Sequence, residues 1–319
     1  MQIKFFGLKD ELAKALIAQE LNKNVISRLD SVSVSFNHDP SFEFPQSDFR
    51  VLILWEPAAV MPWQYNRNNL SKFDLVIPMS SWRAKRLGIK EFAYHPYDSK
   101  GINPISPFTA RRKGIVMVNS AKFSAGRSSL YGLRRAASKA LEESEIDYSL
   151  FGSNWKMSRI MEIRKRFVAL RNSIVASEEI SWRELTSQLW YKYPEYSGWI
   201  DNKFEVLSQY DLSLVIENES DWITEKIFDS IYAGTVPVYV GPNLSDEFPL
   251  LGSCVIRADS TVEGVLAAVR SATSEQITLR KRAIETFVSD QSENGIDFWS
   301  PRIQWGRVSK IIGHRLSIA

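Results

Sequence analysis

The stretch Tyr210–Pro242, YDLSLVIENESDWITEKIFDSIYAGTVPVYVGP, carries the reading of the fold. Leu212 to Ile216 is a short, almost wholly apolar run, the pattern of a strand buried on both faces. It delivers Glu217 and Asn218 at its carboxyl end. A polar loop, Glu219-Ser220-Asp221, leads to Trp222 and then to Thr224-Glu225-Lys226 at the head of a helix spanning Ile223 to Ala233. Gly234 and Pro237 frame the entry to a second apolar run, Val236–Val240. Strand, helix and strand in so few residues make one turn of a parallel α/β sheet. A helix N-terminus presents unpaired backbone N–H groups and the positive end of a dipole, which together favour a phosphate. Lys226 in the first turn opposes that dipole. Such a local conflict fits a residue that serves an anion rather than the helix. A pyrophosphate would satisfy it, and Glu225 beside Lys226 suits a ribose diol.

The same alternation extends in both directions. Ile3–Phe6 reads as a strand and Leu12, Leu16, Ile17 and Leu21 as the helix after it; Ser31–Phe36, Arg50–Trp55 and Asp74–Ile77 read as further strands. Ser80-Ser81 before Trp82 has the chemistry of a helix N-cap. Pro96, Gly101, Pro104 and Pro107 then break all periodicity. A second series follows: strand Ile115–Val118, helix Ser124–Leu141, strand Tyr148–Phe151 and a broken helical stretch from Trp155 to Leu189. Beyond the central segment come strand Cys254–Arg257 and helices Val262–Val269 and Thr278–Val288. The expected architecture is two Rossmann-like, doubly wound α/β domains facing a central cleft. Residues 1–97 form the first domain, 98–113 a linker and 114–297 the second. Residues 298–319 are a helix, centred on Phe298–Ile312, reaching back to the first. In such sheets ligands bind at the carboxyl ends of the strands.

Composition narrows the classes. The chain has 319 residues, 44% of them hydrophobic and 24% charged, which fits about two folded domains and excludes a disordered, collagenous or coiled-coil protein. Forty basic and 37 acidic residues leave +3, too little to imply a nucleic-acid partner. The single cysteine, Cys254, allows neither an intrachain disulfide nor a cysteine-built zinc site. No run approaches the ~18 apolar residues of a membrane span, and no signal-peptide core is visible, so a cytoplasmic protein is expected. The cluster Lys156, Arg159, Arg164, Lys165, Arg166 and Arg171 reads as a solvated basic face or as a contact for anionic headgroups at a membrane surface. His38, His95 and His314 have no metal-ligand spacing. No Asp-x-Asp pair occurs to clamp a diphosphate through a metal, so no metal or other cofactor is expected. No Gly-x-Gly-x-x-Gly follows a strand, which argues against a dinucleotide oxidoreductase.

The central segment resembles the α-1,3-fucosyltransferase family, glycosyltransferase family 10. The family signature of F-E-N, a short loop, Y-[IV]-T-E-K, a helix and V-P-V-x-x-G is met here by Ile216-Glu217-Asn218, Trp222-Ile223-Thr224-Glu225-Lys226 and Val236-Pro237-Val238-Tyr239-Val240-Gly241. Two departures stand out: the loop before Trp222 is two residues shorter, and Trp222 replaces the usual tyrosine. The resemblance implies a GT-B transferase moving L-fucose from GDP-β-L-fucose, with inversion, to a glycan acceptor. That acceptor would contain N-acetylglucosamine, with α-1,3 linkage, and could be lipid-linked. By position it places Glu225 on ribose, Lys226 on the diphosphate and Asn218 at the phosphate or sugar, with Glu217, Trp222 and Thr224 in the same donor site. Asn119 lies in the strand end Val116-Met117-Val118-Asn119-Ser120. Arg127 on the following helix is the counterpart of the family's phosphate-binding arginine, with Arg134 as substitute.

The resemblance also draws the catalytic base from the first domain. Glu56 follows the apolar strand Val51–Trp55, where Pro57 ends it, and a carboxylate there can deprotonate an acceptor hydroxyl. Other readings stay open. Glu56 could cap its strand, Glu225-Lys226 could be an exposed pair, Arg127 a solvated residue and Trp222 simple packing. The chain could use another nucleotide sugar, or be a non-catalytic protein that binds polyanions or a membrane surface.

Overall fold

The structure, a computed structural model, describes residues 2–23, 29–37, 46–175, 179–182, 194–290 and 295–318. The chain divides into two compact units, Met1–Asp98 with Arg171–Glu179 and Trp299–Ala319, and Ser99–Leu170 with Ile180–Phe298.

The first unit begins β1 (Gln2–Phe6), α1 (Glu11–Lys23), β2 (Ser31–Phe36) and β3 (Phe49–Leu54). A 3₁₀ turn (Pro62–Tyr65), α2 (Arg67–Leu70), β4 (Leu75–Pro78) and α3 (Ser81–Leu87) follow. The strands form a four-stranded parallel sheet in the order β1-β2-β3-β4, with Val34 opposite Val51 and Ile53 opposite Ile77. Val51 to Leu54 are all buried, as expected of a central parallel strand covered on both faces. The Ser80 side chain accepts from Arg83 N at 3.2 Å, so the cap read from the sequence is present.

The second unit runs β5 (Arg112–Val118), α4 (Tyr131–Glu143), β6 (Tyr148–Phe151), α5 (Arg159–Val175, of which the residues from Arg171 on count with the first unit), α6 (Lys203–Leu207), β7 (Tyr210–Ile216) and α7 (Glu225–Tyr232). It continues with β8 (Val236–Val240), α8 (Pro249–Ser253), β9 (Ile256–Arg257), α9 (Val262–Arg270) and α10 (Ser274–Ser289). Its five strands are parallel in the order β6-β5-β7-β8-β9. The chain enters at β5, moves one strand to one side, then crosses to β7 on the other. That reversal between β5 and β7 is a topological switch point, the place where open α/β sheets bind ligands. Between α7 and β8 the chain turns at Gly234, with φ +68. A Cβ there would collide with the carbonyl of Ile105, so the turn needs glycine on both counts.

Several elements differ from the sequence expectation. The helix expected from Ser124 begins only at Tyr131, because residues before it are bound elsewhere. Leu130 N donates to Asn218 O at 3.0 Å, Ser220 N to Ser128 O at 3.0 Å, and Ser129 bridges to Glu219. The helical stretch expected from Trp155 starts at Arg159, since Asn154 has φ +65 and Trp155 is used for packing. Its far end at Leu189 lies outside the described residues, as does His38. Cys254 and Val255 precede β9 rather than belonging to it, and the short helices α6 and α8 carried no periodic signal. Residues 99–111 are bound into the second unit. Ile105 N donates to Tyr232 O at 2.8 Å, and Arg111 donates to the carbonyls of Ser208 and Ala233 at 2.6 and 2.7 Å.

The last element, α11 (Pro301–Ile318), belongs to the first unit and packs on α1. Trp305, Val308, Ile312 and Leu316 are buried on it, and Ala13, Ile17 and Leu21 on α1. Polar contacts fix the register: Trp305 Nε1 donates to Asp10 Oδ2 at 3.0 Å, and Tyr94 N donates to Gln304 Oε1 at 3.0 Å.

Candidate functional site

At the carboxyl ends of β5 and β6, beside the first turn of α7, the second unit holds a pocket of about 390 Å³. Asn119 and Ser120 after β5, Gly152 and Ser153 after β6, and Glu225, Lys226 and Asp229 on α7 form its floor and one wall. The segment Trp199–Phe204 forms the other. A smaller recess of about 30 Å³ continues inward past Asn119, Lys203, Lys226 and Asp229. Gly152 lies so close to Asn119 that a Cβ would strike the Asn119 carbonyl, and its φ of +131 is open only to glycine.

Thr224 is the N-cap residue of α7, yet its side chain does not cap the helix. It donates from Oγ1 to Glu217 Oε2 at 2.6 Å, and its backbone N donates to Glu217 Oε1 at 3.1 Å. The helix therefore starts without a side-chain cap beside the pocket, its N-terminal dipole available to an anion. Lys226 Nζ donates to Thr224 Oγ1 and Glu225 Oε1, both at 3.0 Å. Asp229 accepts from Lys203 Nζ at 2.6 Å. Burial pushes the Asp229 carboxyl up to about 6, with Lys203 pulling the other way. Asn119 is buried; its backbone N donates to Phe151 O at 3.0 Å and its carbonyl accepts from Trp155 Nε1 at 2.6 Å. Among the described residues its side-chain Oδ1 has no hydrogen-bond partner. A buried acceptor left unpaired costs about 1–3 kcal/mol, so a ligand that donates to it recovers that amount.

The residues singled out in the sequence thus fall into groups. Asn119, Glu225 and Lys226 line the pocket. Glu217, Asn218 and Thr224 lie behind it, buried and bonded to one another or to neighbours. Burial raises the Glu217 carboxyl above its ordinary value, opposed chiefly by Lys226 and the bonds from Thr224. Asn218 Oδ1 accepts from Arg134 at 2.9 Å, and the same guanidinium donates twice to Ile216 O. Arg134 therefore fixes the end of β7 and does not line the pocket. Trp222 is fully buried and is not among the residues that line it, and its Nε1 has no hydrogen-bond partner among the described residues. Arg127 is exposed and sits in the turn before α4, not on a helix, and is not among the pocket residues.

Glu56, in the first unit, lies two residues after the end of β3, with Trp55 between. Its backbone N donates to Asn37 Oδ1 at 3.0 Å, and its carbonyl accepts from Gln64 Nε2 at 2.8 Å and Tyr65 Oη at 2.7 Å. Three bonds to the main chain hold the Glu56 backbone in place. Among the described residues no group of three or more His, Cys, Asp or Glu is placed to hold a metal ion. No described helix is long and apolar enough to cross a membrane.

The sequence reading missed the segment Trp199–Lys203. Trp199 is 69% exposed and presents its indole at the pocket, with Nε1 donating to Asp201 Oδ1 at 3.2 Å. The available signal was Gly198-Trp199-Ile200-Asp201-Asn202: an aromatic between turn formers has no core to pack into.

No protein-family model matches the chain. Among solved structures, trehalose-6-phosphate synthase OtsA superposes with TM-score 0.51 at 11% identity, over 97% of this chain and 76% of that one. Anabaena HepE, solved in complex with UDP, superposes with TM-score 0.50 at 14% identity over the whole of both chains. The chain has the fold of the GT-B class that these structures share. In sequence, 49 residues are 51% identical to a fucosyltransferase-like protein of Arabidopsis thaliana, which is 15% of this chain and 10% of that relative's length. The chain resembles fucosyltransferase-like proteins, through this match and through the signature between Ile216 and Gly241.

Proposed function

We propose that the chain is a glycosyltransferase of the inverting kind that takes L-fucose from GDP-β-L-fucose. The observation that carries this is the pocket over the carboxyl ends of β5 and β6, lined by Asn119 and by Glu225 and Lys226 at the uncapped head of α7. In this reading the diphosphate lies against Lys226 and the first N–H groups of α7, and Glu225 takes the ribose hydroxyls. The exposed face of Trp199 stacks on the base. A free oxygen of Asp201 accepts from the base edge, where guanine offers two adjacent donors and uracil one. Charge on the leaving diphosphate is neutralised by Lys226 and Lys203, without a metal.

Glu56 acts as the general base. It takes the proton of an acceptor hydroxyl, whose oxygen bonds to C1 of fucose as the C1–O bond to GDP breaks. The acceptor is a glycan containing N-acetylglucosamine, joined by an α-1,3 linkage. A second reading has one observation in its favour. Trp222 is buried where the family's tyrosine would serve the donor, so a different nucleotide sugar remains a competitor.

One titration separates the two. Calorimetry of the chain with GDP, GDP-fucose and UDP in EDTA should show binding of the guanine nucleotides and none of UDP. A charge-assisted hydrogen bond contributes about 1.5–3 kcal/mol, so Lys226→Ala should bind GDP about 10- to 150-fold more weakly. Tight UDP binding with no response to GDP refutes the fucosyl donor while keeping the site. Unchanged GDP affinity in Lys226→Ala refutes the site.

A further inference from the structure

Helix α5 buries the residues a core helix would expose. Glu162, Arg166, Ala169 and Ser173 are its buried positions, spaced i, i+4, i+7 and i+11 along one stripe. Arg166 Nη2 donates to Glu162 Oε1 at 2.5 Å, and the Arg166 guanidinium lies 5.1 Å from the centre of the Phe123 ring. The opposite stripe carries Ile160, Ile163, Phe167, Val168 and Ile174, all exposed, with Ile160 at 74% and Phe167 at 68%. Arg164 and Arg171 fall on that same stripe, at i+4 and i+11 from Ile160, and both are exposed. The one acidic residue between Lys156 and Val175 is Glu162, and it is buried in its pair. The exposed side of the helix is therefore apolar and cationic together, with no carboxylate of its own.

An apolar surface of this size costs free energy in water and marks a binding face. Aliphatic and aromatic side chains interleaved with arginines suit the boundary between acyl chains and anionic headgroups. A second copy of the chain fits poorly, because symmetric pairing would set Arg164 and Arg171 against one another with no acid between them. We propose that the exposed face of α5 docks on an anionic lipid surface, its apolar residues entering the headgroup boundary and its arginines meeting lipid phosphates. This goes beyond the donor site and does not depend on which sugar that site takes.

The test is co-sedimentation of the full chain with vesicles of phosphatidylcholine alone, and with vesicles of equal parts phosphatidylcholine and phosphatidylglycerol. Binding is expected to the anionic vesicles, weakened by salt. Arg164→Glu and Arg171→Glu should each weaken it about fivefold or more, and Phe167→Ser about tenfold. All three positions are exposed, so the variants should keep the circular dichroism and melting midpoint of the wild type. The proposal is overturned if the wild type binds neither vesicle. It is also overturned if Phe167→Ser binds the anionic vesicles undiminished, or if sedimentation velocity shows a wild-type dimer that Phe167→Ser dissociates.

Discussion

Replacing Asn119 by leucine should separate stability from ligand binding in this protein. The backbone of Asn119 is fixed by two main-chain contacts, to Phe151 O at 3.0 Å and from Trp155 Nε1 at 2.6 Å, neither of which involves its side chain. The side-chain Oδ1 is buried and has no partner among the described residues. Such an atom costs about 1–3 kcal/mol in the free protein, and leucine, of similar volume, removes it. Asn119→Leu should therefore melt at the wild-type temperature or above it, by roughly 2–4 °C for each kcal/mol relieved. A ligand donor that satisfies Oδ1 recovers the same 1–3 kcal/mol, so the variant should bind GDP about 5- to 150-fold more weakly. Differential scanning calorimetry with and without GDP, followed by titration, reads both effects. Wild-type GDP affinity in the variant refutes the placement of Asn119 in the donor site. A loss of more than about 2 kcal/mol in the free protein refutes the relief expected from removing the unpaired oxygen, since the substitution then costs more than it removes.

Three further outcomes follow from the same geometry. Glu56→Gln should lower kcat by about 10²–10⁴-fold in a transfer assay while leaving GDP binding intact, as removal of a positioned base does. Asp229, with its folded pKa raised to about 6 from an ordinary 3.8, holds between those two values a proton in the folded state that the unfolded chain has lost. Its stabilising contribution is full below about pH 4 and is lost as pH rises through about 6, at up to about 1.4 kcal/mol per pH unit. Urea denaturation of Asp229→Asn against wild type should therefore favour the variant more at pH 7 than at pH 4.5; a gap constant with pH would refute the shift. Burial pushes the Cys254 thiol up to about 12, so the native chain should resist a thiol reagent at pH 8 and react fully only when denatured.

The α/β architecture was legible because both sheets are parallel and their central strands are buried on both faces, which leaves apolar runs such as Val51–Leu54 and, broken only by Ser213, Leu212–Ile216. Lys226 was legible for the opposite reason, as a residue that harms its own helix. What escaped the sequence was governed by contacts distant in the chain. Ser124–Leu130 has ordinary helical composition, but pairing with residues 218–220 takes its backbone groups. Arg134 and Arg127 cannot be told apart by spacing alone; one is drawn inward by the Ile216 carbonyl and the other is left in a turn. Trp199 lies in a loop without periodicity, where only the folded chain reveals that it faces a pocket. The basic character of α5 was visible in the sequence, whereas the reversal of its buried and exposed faces was not.

The seating of α11 on α1 bears on the order of events during synthesis. The first unit closes only when Trp305, Val308, Ile312 and Leu316 reach Ala13, Ile17 and Leu21, and nearly the whole second unit is translated in between. At ~5–20 residues per second that interval is on the order of tens of seconds. Throughout it the apolar face of α1 waits without its cover, while the second unit is free to fold as soon as α10 has emerged. The order of maturation is therefore the reverse of the order of translation. A chain truncated before Pro301 and released from the ribosome should present a protease-resistant second unit together with a first unit that chaperones still hold.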